Sequence, residues 1–227
     1  MVNPYISVVI PNMGESSNIG RLLQEIKDVL EGYNYEIIVV DGSSLGPSKN
    51  GTARIAKRCG ARVLTDFVGK GSALIKGFNA ARGKIIISMD ADLSNRPKEL
   101  KLLISGIEIG YDVCVGSRFL SGGGSTNMPQ ARLIGNTFFV QLMNLIYASR
   151  YTDLSYGYRS FSRKALHKLH LTEKGRGIET EILIKAHKAK LNVLEVPSFE
   201  KKRNYEKNTR YNLQEGWIIF KTILKNV

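Results

Sequence analysis

Cysteine is scarce: Cys59 and Cys114 are the only two in 227 residues. They stand far apart and outside any metal-like spacing, which excludes a disulfide scaffold and fits a reducing cytosol. No apolar run approaches the roughly 20 residues a helix needs to span a bilayer. Met1-Val-Asn-Pro4 lacks a charged stretch followed by an apolar one, so a secretory leader is not expected. Two common nucleotide loops are missing as well. No Gly-x-Gly-x-x-Gly follows the first apolar run, and Gly69-Lys70-Gly71 lacks the Ser or Thr that completes a Walker loop. Dinucleotide redox chemistry and nucleotide hydrolysis are correspondingly disfavoured. Three histidines occur, His167, His170 and His187, and the first two have no acidic companion at a zinc-like spacing. No internal repeat is visible.

What the chain has is positive charge. Its 33 Lys and Arg against 20 Asp and Glu give a net charge of +13 and a pI near 9.7. That balance points to an anionic partner: nucleic acid, a membrane surface or a phosphate-bearing small molecule. A 43% hydrophobic fraction argues against disorder, and the length allows one large domain or two small ones.

Short apolar runs alternate with amphipathic segments. Strands are expected over Ile6–Ile10, Tyr35–Val40, Arg62–Leu64 and Ile85–Met89, with helices over Ile19–Leu30, Gly51–Cys59 and Ser72–Ala81. This alternation predicts a parallel βαβ sheet. Further on come a helix over Pro97–Ile109, a strand over Asp112–Val115 and a mobile Gly-rich loop over Ser121–Ser125. A long helix over Ala131–Ser149, a turn at Asp153–Gly157, a helix near Glu179–Lys188 and a strand over Leu191–Val196 complete this half. A basic run, Lys201–Arg210, precedes a helix whose Leu213, Trp217, Phe220 and Leu224 recur at helical spacing. That stripe either docks on the domain or lies at a membrane interface.

The stretch Lys84-Ile-Ile-Ile-Ser-Met-Asp90-Ala-Asp92 organises the rest. It reads as a strand buried on both faces that stops at two carboxylates. Ligands of parallel sheets bind at the carboxyl ends of strands. Like charges there need a cation, and an all-oxygen ligand set suits Mg²⁺ or Mn²⁺. An EF-hand would want Gly and Glu where Asn95 and Lys101 stand. An aspartyl-phosphate phosphatase, or a mere helix cap before Pro97, remain alternatives at this point. Pro11-Asn-Met-Gly-Glu15 and Asp41-Gly42-Ser-Ser close the first two strands and so open onto the same edge. Asp41 can accept from a base or ribose, while Gly42 lets the backbone approach a ligand. Lys70 and Gly71 open a helix whose free amides favour phosphate.

In this order the motifs resemble glycosyltransferase family 2, of the GT-A fold, over about Ile6–Arg203. They are Ser7-Val-Val-Ile-Pro11 with Glu15, Ile37-Ile-Val-Val-Asp41-Gly-Ser-Ser, Gly69-Lys-Gly-Ser-Ala73 and Met89-Asp-Ala-Asp-Leu-Ser94. The resemblance implies an α/β, Rossmann-like, mostly parallel sheet flanked by helices with a C-terminal helical tail. It implies one catalytic domain over 1–200, with a nucleotide-sugar half (1–92) and an acceptor half (93–200), then a basic loop and amphipathic helix over 201–227. Pro11, Glu15, Asp41, Gly42, Lys70, Gly71, Asp90 and Ala91 would line the nucleotide-sugar pocket, and Asp90 with Asp92 would hold the metal.

Val115-Gly-Ser-Arg118, Arg132 with Gly135-Asn136, Thr152-Asp153-Leu-Ser-Tyr-Gly157-Tyr-Arg159 and Ile178-Glu-Thr-Glu181 with Glu195-Val-Pro197 are similar to polyprenyl-phosphate sugar synthases. That subgroup implies Arg118, Arg132 and Arg203 at the acceptor phosphate, and Asp92, Asp153 and Arg118 in catalysis. Glu179 and Glu181 are read only as ordering the nearby basic loop. Asn204–Arg210 departs from the subgroup, which has a glycine soon after its final arginine.

The activity expected is inverting, metal-dependent transfer of glucose or mannose from a UDP- or GDP-sugar to dolichyl or undecaprenyl phosphate. A phosphate monoester, with a second pKa of about 6, is already an anionic nucleophile and needs no general base. Partners expected are the nucleotide sugar, the lipid phosphate and a membrane protein or second copy, with no nucleic acid. The setting expected is cytoplasmic and peripheral at the membrane face. The alternatives are a family 2 enzyme acting on a saccharide or protein hydroxyl and, remotely, a basic nucleic-acid-binding protein.

Overall fold

The computed structural model describes residues 3–13, 16–42, 51–126, 128–202 and 213–227. Two-sided apolar runs build its central sheet. The first strand, β1 (Ile6–Asn12), is buried at every position. Helix α1 (Ser16–Val29), β2 (Tyr35–Asp41), α2 (Thr52–Arg58), β3 (Arg62–Thr65), α3 (Lys70–Ala80) and β4 (Ile85–Ser88) follow. The second half has one 3₁₀ turn (Pro97–Glu99), α4 (Leu100–Glu108), β5 (Val113–Ser117), β6 (Gly124–Ser125) and α5 (Gln130–Tyr147). It continues with β7 (Arg159–Ser162), α6 (Arg163–Leu169), α7 (Ile178–Lys188), β8 (Val193–Pro197), β9 (Phe199–Glu200) and α8 (Leu213–Lys225).

Seven strands form one sheet in the order β3-β2-β1-β4-β7-β5-β8. All neighbours are parallel except β7, which runs antiparallel to both β4 and β5. The sheet is thus mostly parallel, as expected, with β7 as its one antiparallel strand. The reason is local: residues 153–157 are anchored at the carboxyl edge, so the strand leaving them must run back across the sheet. Neither β7 nor α6 has a long enough apolar pattern to be read from sequence.

Helices cover both faces. Ile19, Leu22, Leu23, Ile26 and Leu30 are fully buried and pack on one face with Val8 and Ile10. Spacings of three and four put the first four on one side of α1, and Leu30 continues that side in the turn after it. Burial of all five contributes roughly 7–15 kcal/mol of transfer free energy. Val9, Ile38, Val40 and Ile86 point to the other face, under α3, α5, α6, α7 and α8. That alternation is the period of two along a strand.

Two expectations change. The Gly-rich loop is tied down, because Gly124 and Ser125 pair with Phe199 and Glu200. A Cβ on Gly123 would lie 2.5 Å from Ser117 O, so only glycine passes there. In α8 the docking side chains are Ile219 and Ile223, whereas Trp217 and Leu224 of the expected stripe are exposed. Trp217 stacks on Phe220, ring centroids 5.6 Å apart. Long helix α5 buries Met143 and Tyr147 but exposes Ile134, Phe138 and Leu145. Among the described residues no helix is long and apolar enough to cross a membrane. Of the basic run, 203–210 lies outside the described residues.

Candidate functional site

Parallel register brings the expected motifs to one edge. Asn12 stands beside Asp41, Asp41 beside Thr65, and Ser88, two residues before Asp90, beside Val9. Buried Pro11 pairs across with Val40. Asp41 is fully buried and accepts from Asn12 Nδ2 at 3.2 Å. Gly42 N–H donates to Asn12 O at 2.8 Å, and Asp66 N–H to Asp41 O at 3.0 Å. A Cβ on Gly42 would sit 2.6 Å from Asp66 O and 2.8 Å from Met13 Sδ. Glycine is thus required there for the β2 and β3 ends to close. Glu15 lies outside the described residues.

The next turn holds the two acids. Asp92 Oδ1 accepts from Ser94 N–H at 3.0 Å and Ser94 Oγ–H at 2.5 Å. Asp90 N–H donates to Asn95 Oδ1 at 2.8 Å. Between them Leu93 adopts φ 63°, a left-handed conformation that a branched side chain rarely takes. Ala91 is buried in the core beneath the turn. Lys70 Nζ lies 2.7 Å from Asp90 Oδ1 and 2.7 Å from Glu179 Oε1. Burial opposes the lysine's charge, but Asp90 and Glu179 outweigh it and raise its pKa. Gly157 faces this cluster: a Cβ there would be 3.1 Å from Lys70 Nζ and 3.2 Å from Asp90 Oδ2.

Asp90 and Asp92 offer carboxylate oxygens, the donor type of a hard divalent ion, and Lys70 already holds one of the Asp90 oxygens. Among the described residues no three His, Cys, Asp or Glu side chains gather as a metal set. The reading of α3 as an open phosphate cradle is corrected. Ser72 N–H donates to Lys174 O at 3.0 Å, and a Cβ on Gly71 would lie 2.2 Å from Glu173 O. The loop before α7 covers this helix end, and Lys70 turns to the carboxylates.

A second cluster, at the expected acceptor residues, is built around a buried arginine. Arg118 Nε and Nη2 donate to Asp153 Oδ2 and Oδ1 at 2.7 and 2.9 Å, a bidentate pair. Nη2 also donates to Ser155 Oγ at 3.0 Å, and Nη1 to Glu200 Oε2 at 3.1 Å. Burial disfavours its charge, yet Asp153 and Glu200 more than compensate and raise its pKa. The guanidinium carbon sits 4.9 Å from the Tyr156 ring centre. Arg132 Nη1 approaches Glu200 Oε1 at 3.6 Å, with its side chain 17% exposed.

Tyr156 and Gly157 are adjacent in sequence, so one dipeptide spans from Arg118 to Asp90. Behind it, Glu195 accepts from Thr152 N–H at 3.0 Å and Asp153 N–H at 3.3 Å. Burial raises the Glu195 pKa against those bonds. Arg159, also buried, donates to the carbonyls of Tyr156, Leu154 and Glu179. Arg203 lies outside the described residues.

Sequence reasoning missed Glu200 and the pairing of Glu179 with Lys70. The one available signal for Glu200 was an acid standing immediately before Lys201-Lys202-Arg203. Glu181 accepts from the N–H groups of Thr172 and Glu173 at 3.1 and 2.9 Å, in the loop before α7, whereas most of the basic loop it was expected to order lies outside the described residues.

Comparison with known proteins matches residues 7–170 to the model of glycosyl transferase family 2. A dolichol-phosphate mannosyltransferase of Pyrococcus furiosus is 33% identical over 196 residues, 85% of this chain and 55% of the relative. A polyprenol monophosphomannose synthase of Mycolicibacterium smegmatis is 28% identical, over 84% of this chain and 75% of the relative. The chain thus spans about half the length of the first and three quarters of the second. The fold matches glucosyl-3-phosphoglycerate synthase from Mycobacterium tuberculosis, solved with Mn²⁺ and UDP. The TM-score is 0.71 at 22% identity, covering 98% of this chain and 80% of that one. Such neighbours have the GT-A fold.

Proposed function

Because this chain belongs to glycosyl transferase family 2, we propose that it transfers a hexose from a nucleoside diphosphate sugar to a polyprenyl phosphate. The observation that carries this reading is the meeting of two unlike charge clusters across Tyr156-Gly157. Carboxylates Asp90 and Asp92 lie at one end, and the arginine pair Arg118 and Arg132 at the other. The first suits a metal diphosphate, and the second presents partly exposed Arg132 to an anionic acceptor with buried Arg118 behind it. The names of the two mannosyl-transferring relatives support the same acceptor.

On this reading Pro11, Glu15, Asp41 and Gly42 bound the nucleotide, while Asp90 and Asp92 hold Mg²⁺ or Mn²⁺. The ion supplies Lewis acidity to the diphosphate oxygens when bound. Lys70, gripped by Glu179, adds a fixed positive charge beside the departing nucleotide. The acceptor phosphate is an anion at neutral pH, so no side chain has to take a proton from it. Asp153 accordingly serves by orienting Arg118 through its bidentate contact, and not as a base. Attack from the face opposite the nucleotide inverts the anomeric centre. Exposed Ile134, Phe138 and Trp217, with Lys221 Nζ 5.2 Å from the Trp217 ring centre, suit peripheral contact with a cytoplasmic membrane face.

The test supplies labelled UDP-glucose or GDP-mannose with Mn²⁺ and either polyprenyl phosphate or soluble glycans. Label entering the lipid phase is the expected result. Label reaching only the glycans would overturn the choice of acceptor.

A further inference from the structure

A single carboxylate, Glu200, gathers three separate segments around the acceptor side. Its Oε2 accepts from Arg118 Nη1 at 3.1 Å and from Ser125 Oγ at 2.7 Å, and its Oε1 faces Arg132 Nη1 at 3.6 Å. The residue is 1% exposed. Two guanidinium groups brought this close repel each other unless an anion stands between them. Arg118 is almost saturated by Asp153, Ser155 and Glu200 and has a side chain 1% exposed. Arg132, at the start of α5, retains exposure.

The strand that carries Glu200 is itself clamped. Phe199 N–H donates to Glu99 Oε1 at 3.1 Å, and Ser198 Oγ–H to Glu99 Oε2. Gly124 N–H donates to Ser198 O at 3.1 Å and Thr126 N–H to Glu200 O at 3.0 Å. One residue further, Lys201 N–H donates to Ser94 O at 2.9 Å, and Ser94 is the residue that holds the Asp92 carboxylate. The arginine cluster and the acidic turn are therefore connected through a single extended segment, Ser198–Lys201.

We infer that Glu200 is a positioning residue for the acceptor: it sets Arg132 against Arg118 at a fixed distance from the Asp92 turn, so that a phosphate monoester meets both arginine charge and donor. This rests on the lipid-phosphate reading above. It assigns the specificity for an anionic acceptor to a residue that touches neither substrate. A neutral amide at Glu200 keeps the shape and removes the one carboxylate that Arg118 and Arg132 share.

The experiment compares wild type, Glu200→Gln and Ser125→Ala in the transfer assay. It varies a short-chain prenyl phosphate and the nucleotide sugar independently, and checks folding by thermal unfolding. Glu200→Gln is expected to raise the acceptor KM about tenfold, with kcat and the donor KM changed less than about threefold. Ser125→Ala, which removes one Glu200 contact from a partly exposed strand, is expected to raise the acceptor KM about two- to threefold. It decides the matter if Glu200→Gln does not fold. An unchanged acceptor KM in a folded variant, or equal losses for donor and acceptor, would overturn the role of Glu200 and leave the activity standing. Wild type that uses only hydroxyl acceptors would overturn both.

Discussion

Lys70 Nζ and Asp90 Oδ1 are 2.7 Å apart, so the first acid of the Asp90-Ala91-Asp92 turn is held by an ammonium group from the preceding helix. Glu179 grips the same nitrogen from α7. This edge is thereby assembled around a positive charge supplied by the chain itself, which orients both carboxylates.

Removing that charge leaves Asp90 and Glu179 facing each other. Lys70→Met is expected to cost about 2 kcal/mol, below the usual figure for a fully buried pair because the lysine retains some exposure. In a chain of this size that lowers the melting temperature by about 4–8 °C. Added Mn²⁺ should restore part of it by replacing the missing charge. Calorimetry with and without Mn²⁺ checks this, and an unaltered melting temperature would contradict it.

Asp92→Asn keeps the turn's hydrogen-bond acceptor but weakens the ligand. Wild type should be stabilised by UDP or GDP together with Mn²⁺. The variant should lose most of that shift, and transfer should fall by about a hundredfold or more. EDTA should do the same to wild type. Thermal shift with each nucleotide, with and without metal, separates the outcomes.

Gly71→Ala would force a Cβ to 2.2 Å from Glu173 O and 2.8 Å from Gly175 O, both backbone atoms. Relief requires the loop before α7 to move off α3. A cost of about 2–3 kcal/mol is expected, with faster proteolysis near Lys174. Urea unfolding and limited trypsin digestion measure both effects.

Glu181 supplies a pH dependence of stability. Burial pushes its carboxyl pKa up, but bonds from Lys185, Thr172 and Glu173 prevail and lower it below the ordinary value of 4.5. A lowered folded-state pKa stabilises above the unfolded value, and that stability is lost as pH falls through the folded one. Glu181→Gln should therefore be less stable than wild type near neutral pH by about 1–3 kcal/mol. The difference should shrink as pH drops below about 4.5. Urea unfolding of both proteins across that range tests the sign.

Much of this molecule is legible in local pattern. Ile85–Ile87, ending at Met89-Asp90, announces a doubly buried strand with acids at its tip because both features lie within a few residues. The buried Ile19, Leu22, Leu23 and Ile26 of α1 follow from helical spacing in the same way. Parallel pairing then forces Asn12, Asp41 and Asp90 to one edge, so the donor side could be anticipated. The antiparallel course of β7 could not, since its direction depends on where the turn before it is anchored.

Which charge meets which was decided by tertiary structure alone. Glu200 reads as one acid in a basic run, yet it reaches Arg118 and Arg132 through a two-residue strand paired with the Gly-rich loop. Lys70 looks like a phosphate ligand at a helix start, but the Glu173–Gly175 loop covers that end and turns it to Asp90 and Glu179. Hydrophobic period is written along the chain, whereas ion pairing depends on distances in space that only packing sets, and Coulomb energy falls away over those few ångströms.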